Sequence, residues 1–363
     1  MGRERAIVAL SGGLDSSVTA LLLKEAGYEV SGVHMQLWNT PHCTYQERHA
    51  EQICRVLNIP FSVIDVHREF EHYVINHFCQ EYQRGRTPNP CIVCNKHIKF
   101  GFLLSKALSL GADYLATGHY ASIEYSGNSY HLLKANDDSK DQSYFLYNLT
   151  QEKLKYLLFP LGKYSKLEVK KLAKEKELPV SSKPSQDLCF ISDTNYHTFL
   201  SQRFATKPGD IVHSTGEILG RHRGVAFYTI GQRHGLGTAS EKPFYVIRIE
   251  SDNNRIVLGT EEELYSQQAV VKEAHWITAT PPAKLSNITA KIRYRSLETP
   301  VTISPKGENI NVWFPQPQRA VTPGQAIVFH NGDELIGGGV IDTFSPISPI
   351  REKVKHVPAN QPS

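Results

Sequence analysis

The fold can be inferred first from Arg5-Ala-Ile-Val-Ala-Leu-Ser-Gly-Gly-Leu-Asp-Ser16, a segment that joins an apolar run to a glycine-containing turn. Ala6–Leu10 is apolar on both faces, which is typical of a buried parallel strand. Ser17–Ala26 has helical spacing, so a turn must lie between the two. The glycines allow positive φ and point backbone N–H groups into one concavity, while Ser16 or Ser17 can cap the helix. Such a nest before a helix predicts a phosphate site.

The turn also lacks a residue that one class of phosphate loop needs. No lysine follows the two glycines, so the turn does not match the loop that grips a transferable γ-phosphate. We therefore expect it to hold a pyrophosphate that leaves. An ordinary glycine-rich turn is the alternative, which the strand–loop–helix context of Ser11–Ser16 disfavours.

The 363 residues have an ordinary soluble composition, with 40% apolar and 21% charged residues. This length predicts two or three domains of roughly 150 residues each. No apolar run could span a membrane and no signal-peptide pattern is present, so we expect a cytoplasmic protein without a membrane partner. The net charge is only +4, yet basic residues cluster in Lys163–Lys176, Arg221–Arg223 and Lys291–Arg295. These clusters permit a polyanionic partner, although a solvated face is the simpler interpretation of the first.

In the first half, short apolar segments alternate with amphipathic ones, which predicts a doubly wound α/β domain with a parallel sheet. The predicted strands are Ala6–Leu10, Glu29–Leu37, Phe61–Val66 and Tyr114–Thr117, and the predicted helices are Ser16–Gly27, Tyr45–Leu57, Glu69–Tyr82, Asn95–Leu110 and Lys166–Glu177. Ligands of such sheets lie beyond the carboxyl ends of the strands. That edge would gather Ser11–Ser16, Met35 and Gly118-His119. Met35 is more simply a core residue, and His119 suits a structural role as well as a substrate contact.

Helical periodicity fades after residue 195, and short alternating segments between turns predict a β-rich second half. The segments are Phe244–Glu250, Arg255–Leu258, Asn287–Tyr294, Thr299–Ser304, Asn309–Phe314, Gln325–His330 and Leu335–Val340. Gly209–Gly237, rich in Gly, Arg and His, looks like a separate small module. We expect a catalytic domain at 1–195, a small central module at 196–265, a β-barrel at 266–345 and a disordered tail at 346–363.

Two of the six cysteines form Cys91-x-x-Cys94 behind two prolines, and a third, Cys189, lies far along the chain. Three interpretations stay open for them: a zinc or iron–sulfur site, a redox pair, or inert core thiols. We predict a helix that begins near Cys94, whose N-terminus would stabilise a thiolate there. Cys54 and Cys79 fall in helical segments and are expected to be small buried side chains, whereas Cys43 is assigned no role.

An ordered set of motifs runs through the chain: Ser-Gly-Gly-x-Asp-Ser, Thr-Pro-Asn-Pro-x-x-x-Cys-Asn, Ala-Thr-Gly-His-Tyr, Lys-Asp-Gln-Ser-Tyr-Phe-Leu, Ser-x-Asp-x-Cys-Phe, Ile-Gly-Gln-Arg-His-Gly-Leu-Gly and Arg-Tyr-Arg. The first resembles the signature of the N-type ATP pyrophosphatases, which cut ATP between its α- and β-phosphates and adenylylate an oxygen. The whole set resembles the bacterial tRNA-specific 2-thiouridylase family, over nearly the whole chain to about Phe344.

The resemblance implies an adenine nucleotide alpha hydrolase-like domain and an AMP-forming tRNA-uridine 2-sulfurtransferase. Such enzymes use ATP to adenylylate oxygen 2 of the wobble uridine of tRNA, release pyrophosphate, and replace AMP with persulfide sulfur. The resemblance further implies ATP and Mg²⁺ as cofactors. Its implied partners are tRNA with a wobble uridine and a sulfur donor, either a sulfurtransferase or a sulfur carrier protein.

The resemblance also assigns site residues. Cys94 would be the nucleophile and Cys189 the persulfide carrier, the two could close a disulfide during turnover, and Asp15 would hold Mg²⁺. The residues implied for ATP are Ala9, Leu10, Ser11, Gly12, Gly13, Leu14, Asp15, Ser16, Met35 and Gly118. Those implied for tRNA are Asn89, Pro90, Cys91, His119, Lys140, Asp141, Gln142, Arg293, Tyr294 and Gln325.

Cys91 departs from the best-described form of the family, which has Asp at this position. A thiol there could still assist proton transfer, or it could be a third cluster ligand. We hypothesise that Cys91, Cys94 and Cys189 can hold a 4Fe–4S cluster with one free iron.

Two other classes of protein are compatible with parts of the pattern. Another AMP-forming synthetase of the ATP pyrophosphatase type, with a nitrogen nucleophile, would use Ser11–Ser16 but would not need Cys94 and Cys189. The second class is an RNA-binding module without enzymatic activity, in which a metal bound by the three cysteines stabilises the fold. This interpretation does not explain the predicted phosphate loop.

Overall fold

The computed structural model describes residues 2–38, 41–180, 188–191, 196–237, 243–281 and 287–347, with only the backbone at 41–43. The predicted tail beyond residue 347 and the side chain of Cys43 therefore lie outside the described residues. Among the described residues, no helix is both long enough and apolar enough to cross a membrane.

The first half folds around a parallel sheet, as its alternating pattern predicts. From one edge to the other, the strands are Phe61–Asp65, Glu29–Gln36, Arg5–Ala9, Tyr114–Ala116 and Leu157–Leu158. Each neighbouring pair is parallel. The four predicted strands are confirmed, and the fifth is too short to carry a periodic pattern.

Helices cover both faces of this sheet, because successive side chains of a strand point to opposite sides. Val8 faces one core and Ile7 faces the other. The first core is covered by the helices Leu14–Glu25, Pro41–Leu57 and Lys166–Glu175. The second is covered by a helix that spans residues 90 to 109.

Two helices near the carboxyl edge of the sheet contain π-helical segments. Their parts are His67–Phe70, π-helical Glu71–Ile75 and Asn76–Gln83 for the first, and Pro90–Cys94, π-helical Asn95–Leu103 and Leu104–Ser109 for the second. The second helix begins at Pro90, because the Oδ1 atom of Asn89 accepts the N–H groups of Cys91 at 3.1 Å and Ile92 at 3.4 Å. The predicted start near Cys94 is therefore wrong by one turn, since Asn at the cap and Pro in the first turn begin the helix upstream.

The second half is β-rich, as predicted. A four-stranded sheet has the order Tyr245–Glu250, Arg255–Gly259, Gly209–His213 and Ile218–His222. A nine-stranded antiparallel sheet curls at the C-terminal end, with strands Ser122–Ser126, Ser129–Leu133, Tyr265–Trp276, Ile288–Lys291, Thr299–Pro300, Thr302–Lys306, Asn309–Arg319, Ala326–Asn331 and Glu334–Pro346. The shorter helical elements are Ser143–Leu146, Gln151–Leu154, Pro160–Lys163, Tyr196–Arg203, Val225–Phe227 and Glu262–Leu264.

The first two strands of the curled sheet come from the N-terminal half of the chain, which the sequence does not predict. They form a hairpin, and its Leu132 pairs with Leu335 of the C-terminal half. Arg86 makes a second link, because its guanidinium donates to Asp342 at 2.9 Å and to the carbonyl of Ile341 at 3.1 Å. These contacts hold the curled sheet beside the start of the 90–109 helix.

Candidate functional site

A cavity of about 350 Å³ lies at the carboxyl ends of three strands, Arg5–Ala9, Glu29–Gln36 and Tyr114–Ala116. This is the edge where a parallel sheet of this kind binds its ligands. Many of the residues selected from the sequence line it together: Ala9, Leu10, Ser11, Asp15, Ser16, Met35, Pro90, Cys91, Cys94, Gly118, His119, Gln142 and Cys189. We call it the thiol cavity.

Residues 11–16 form the predicted loop, which leads into the helix that begins at Leu14. Gly12 has a φ of +73°, and a Cβ there would lie 2.4 Å from the carbonyl oxygen of Gln46. The hydroxyls of Ser16 and Ser17 donate back to the carbonyl of Gly13 at 3.1 and 2.7 Å. Both serines lie inside the first turn, so the prediction that one of them caps the helix is wrong.

The N-terminus of this helix is suited to an anion. Gly13 occupies the cap position, and no side chain caps the helix there. The N–H groups of a first helical turn have no partner within the helix and carry a partial positive charge. A phosphate group placed in this loop would satisfy them.

Lys166 is a residue of this site that the sequence analysis missed. It was expected to lie on a solvated basic face, but its Nζ atom is 2.5 Å from the Oδ1 atom of Asp15. The hydroxyl of Tyr120 donates to the same oxygen at 2.9 Å. Ser165 and Glu168 form a capping box, which sets the start of the helix and so the position of Lys166. That capping box is the one signal in the sequence that could have drawn attention to the lysine.

Gly118 brings the end of a third strand against the loop. A Cβ at this position would lie 2.9 Å from the backbone of both Asp15 and Ser16, so only glycine fits without a shift. The neighbouring His119 is buried, and its Nδ1 atom lies 2.6 Å from the hydroxyl of Thr117. Burial lowers the pKa of His119 well below its usual value, with Lys99 adding to the effect. His119 is therefore a neutral imidazole in the wall of the cavity.

Met35 packs against two cores and also lines the cavity. The core interpretation and the ligand interpretation are thus compatible. Next to it, the buried His34 places its Nδ1 atom 2.9 Å from the carbonyl of Leu10. This contact connects the second strand to the residue that precedes the 11–16 loop.

Three thiols line the same cavity, although they are far apart in the sequence. Cys91 and Cys189 are exposed and Cys94 is buried. Burial raises the pKa of Cys94 to about 11, against a smaller opposing effect of Lys99. The prediction of a stabilised thiolate at Cys94 is wrong for this structure, because the residue lies one turn inside the helix in an apolar environment. Within the described part of the chain, no group of three or more His, Cys, Asp or Glu side chains could hold a metal ion.

The raised pKa of Cys94 predicts slow alkylation at neutral pH. With a pKa near 11, about one Cys94 in a thousand is a thiolate at pH 8. Labelling by iodoacetamide should therefore rise about tenfold for each step of one pH unit between 7 and 9.5. Peptide mapping by mass spectrometry measures it, with the buried Cys54, whose pKa is also about 11, as the internal control. A Cys94 rate that levels off below pH 8 would contradict the prediction.

Cys54 and Cys79 lie away from the thiol cavity. Cys54 is buried in the core beneath the first helices, and Cys79 packs partly buried against the core that contains Phe78. Desolvation raises the pKa of both thiols. The expectation of a small buried side chain is confirmed for Cys54, whereas Cys79 is only half-buried.

Of the residues proposed for tRNA, Pro90, Cys91, His119 and Gln142 line the thiol cavity. Arg293, Tyr294 and Gln325 lie in turns that flank strands of the curled sheet. The Nε2 atom of Gln325 donates to the carbonyl of Thr87 at 2.8 Å. The ring of Tyr294 lies 4.4 Å from that of Phe145, and Arg293 is exposed beside it. These contacts connect the curled sheet to two segments of the N-terminal half, one at Thr87 and one at Phe145, which are distant from it in the sequence.

Asp141 and Gln142 brace the polypeptide around the cavity. Asp141 is buried, and its carboxylate accepts the N–H groups of Ala135 and Ser143 at 3.1 and 3.2 Å. Gln142 exchanges two hydrogen bonds with the backbone of Tyr120, at 2.8 and 3.0 Å. Lys140, by contrast, is exposed. In this segment a lysine faces solvent while its acidic neighbour shapes the loop.

The chain matches three family profiles that together span most of its length. Residues 4–193 match the tRNA methyl transferase HUP domain, 197–260 the tRNA methyl transferase PRC-barrel domain, and 266–341 the aminomethyltransferase beta-barrel domain. Two curated relatives are named tRNA-specific 2-thiouridylase MnmA. That of Carboxydothermus hydrogenoformans is 45% identical, with 94% of this chain and 98% of the relative covered. That of Acetivibrio thermocellus is 45% identical, with 94% and 100% covered.

Part of the chain is also similar to a solved structure, that of the U34-tRNA thiolase NcsA from Methanococcus maripaludis with its [4Fe-4S] cluster. It has 20% sequence identity and a TM-score of 0.36, covering 55% of this chain and 64% of that one.

Proposed function

The chain belongs to the tRNA-specific 2-thiouridylase family, and on that premise we propose that the thiol cavity is where ATP, a uridine of tRNA and the transferred sulfur meet. The protein is an ATP-dependent tRNA sulfurtransferase that forms 2-thiouridine. One observation carries the proposed site: a single cavity is lined by the phosphate loop and by three thiols. A nitrogen-transferring synthetase would need the phosphate loop but not the three thiols. A methyl transferase, the activity named in two of the domain descriptions, would need neither.

ATP would lie with its phosphates on residues 11–16 and its adenine toward Met35. The helix N-terminus and the ammonium of Lys166 would stabilise the charge of the departing pyrophosphate. Asp15 suits Mg²⁺, since in nucleotide sites this ion takes one or two carboxylates and completes its shell with phosphate oxygens and water. When bound there, Mg²⁺ would neutralise phosphate charge.

The first step would be adenylylation of the uridine. Oxygen 2 attacks the α-phosphorus, the bond to the bridging oxygen breaks, and pyrophosphate leaves. A carbonyl oxygen is a poor leaving group, and its adenylate is a good one. Neutral His119 and Gln142, both in the cavity wall, would contact the base. The proposed contacts to the rest of the tRNA are Asn89, Pro90, Lys140, Arg293, Tyr294 and Gln325.

The second step would transfer sulfur from Cys189, loaded as a persulfide by a sulfurtransferase or sulfur carrier protein. The terminal sulfur attacks carbon 2 and AMP leaves, so the base is joined to Cys189 through two sulfurs. The Cys94 thiol then loses its proton and attacks the Sγ atom of Cys189, the bond between the two sulfurs of the persulfide breaks, and the base takes up a proton at N3 as 2-thiouridine. A Cys94–Cys189 disulfide remains. An external dithiol supplies the two electrons that restore both thiols.

An iron–sulfur route stays a prediction. The described side chains contain no three-ligand group that fits a cluster, so we write no step through one. Cys91 has its pKa raised by desolvation, and we propose that it serves as a protonated thiol at the cavity mouth. We also propose the domain bounds 1–195, 196–265 and 266–345, and a cytoplasmic location because both substrates are found there.

The decisive experiment combines purified protein, labelled ATP, a sulfurtransferase loaded with persulfide, a dithiol reductant and unmodified tRNA with a wobble uridine, all under anaerobic conditions. AMP, pyrophosphate and 2-thiouridine should all form, and only when tRNA is present. AMP without 2-thiouridine would contradict the sulfur half of the proposal. Iron and sulfide analysis of the same sample tests for the cluster, because full activity without iron would contradict the cluster hypothesis. Full activity of Cys91→Ala would contradict the proposed role of Cys91 as a protonated thiol.

A further inference from the structure

A second cavity, of about 380 Å³, lies along the same helix as the thiol cavity but is lined by different residues. Cys91, Cys94 and Lys99 line the thiol cavity, whereas Lys96 and His97 line the second one. The two adjoin at the start of the helix, where Pro90 lines the first and Asn89 the second. A ligand that enters the thiol cavity past these residues therefore has the second cavity beside it.

The second cavity is lined by side chains that can donate hydrogen bonds to a phosphate. Three histidines and a lysine line it, namely His72, His77, Lys96 and His97, with Glu273 as the acidic residue in the lining. The pKa of His97 is lowered first by desolvation. The nearby Lys96, Lys153, His77 and His72 lower it further. The pKa of His77 is lowered as well, so both rings are neutral and can stack or donate an N–H group, and Lys96 is the lysine of the lining that can contact an anion. A phosphodiester is the anion that a tRNA chain would bring.

The cavity also offers an exposed aromatic platform. The rings of Tyr73 and His97 are stacked, with centroids 4.5 Å apart and planes 3° from parallel. Tyr73 is 42% exposed, so this pair is not a core contact. Tyr73 belongs to the π-helical segment of one helix and His97 to that of the other. Such segments recur at functional sites, and here they place two flat rings side by side at a cavity wall.

We propose that the second cavity binds the nucleotide next to the target uridine in the tRNA chain, and this inference rests on the proposed function. The base would stack on Tyr73 and His97, and Lys96 would contact a phosphate. A uridine that enters the thiol cavity has left its stack, so its neighbour is unstacked as well and needs a new aromatic partner. Gly324 also lines the cavity, which continues the surface of its neighbour Gln325. A concave volume of this size suits a nucleotide better than the flatter surface of a sulfur-donor protein.

A double-mutant cycle tests the contact. The full-length protein is compared with Tyr73→Ala for binding to tRNA transcripts that are intact, or abasic at the nucleotide 5′ or 3′ of the wobble uridine. We expect Tyr73→Ala to weaken binding of intact tRNA about tenfold, and to have no further effect on one of the two abasic transcripts. Tyr73→Phe should retain the affinity of the wild type because it keeps the ring. Tyr125→Ala, at an exposed tyrosine of the 122–133 hairpin, is the matched control.

Two results would overturn the proposal. One is an effect of Tyr73→Ala that is the same on all three transcripts. The other is unchanged tRNA affinity with thiolation slowed only when a sulfurtransferase replaces inorganic polysulfide as the sulfur source, which would make the cavity a docking site for the donor protein. Because the cycle measures binding and needs no turnover, its failure is separate from a failure of the wild-type protein to form 2-thiouridine.

Discussion

Replacing Cys189 by serine is expected to abolish 2-thiouridine formation while tRNA-dependent pyrophosphate release stays within about threefold of the wild type. The reason is that sulfur would be carried on this thiol, whereas the phosphate loop and its partners at Asp15 do not involve it. Cys189 is exposed, so an oxygen in place of its sulfur leaves the core unchanged. The measurement follows labelled pyrophosphate and digested tRNA in the same reaction.

The matched control for this variant is Cys79→Ser, at a thiol that lies outside the cavity. It should retain both pyrophosphate release and thiolation. Loss of pyrophosphate release in Cys189→Ser would mean that Cys189 also acts in adenylylation, and the assignment as a sulfur carrier alone would be wrong. Retained thiolation would remove Cys189 from the reaction altogether.

Replacing Lys166 by methionine is expected to lower kcat/KM for ATP about 100-fold in tRNA-dependent AMP formation. Its ammonium lies 2.5 Å from Asp15 at the phosphate loop, where negative charge accumulates as pyrophosphate leaves. Methionine keeps an unbranched apolar side chain in place of the charged one. Asp15 would still accept the hydroxyl of Tyr120, so the loop should stay folded. Product inhibition by pyrophosphate should weaken in parallel, because the same ammonium would bind it.

Lys170→Met is the control, since Lys170 is an exposed lysine on the same helix. It should leave the rate and the melting temperature unchanged. A fall of less than about threefold in Lys166→Met would mean that the lysine serves only to pair with Asp15 in the absence of ATP. In that event the helix N-terminus at residues 14–16 would supply the stabilisation by itself.

The architecture of the first half could be predicted because it depends on local patterns. The apolar pattern of Ala6–Leu10 predicts a buried strand, and the glycines after it permit a tight turn. The spacing of apolar residues from Ser17 predicts a helix. Ligands of parallel sheets lie at the carboxyl edge, and this rule predicted that Met35 and Gly118 lie near the loop before any contact was known. The second half was predictable only as β-rich, since short strands do not reveal their pairing partners.

The parallel sheet, the glycine-containing loop at residues 11–16 and the set of thiols could be recognised in the amino-acid sequence, because each depends on residues a few positions apart or on an ordered set of motifs. The tertiary structure alone places Lys166 beside Asp15, 151 positions away, and joins the 122–133 hairpin to the curled sheet. It also decided the protonation of Cys94, since a helix N-terminus favours a thiolate while burial opposes it, and here burial prevails. Desolvation depends on everything packed around an atom, and no local pattern in the chain records that.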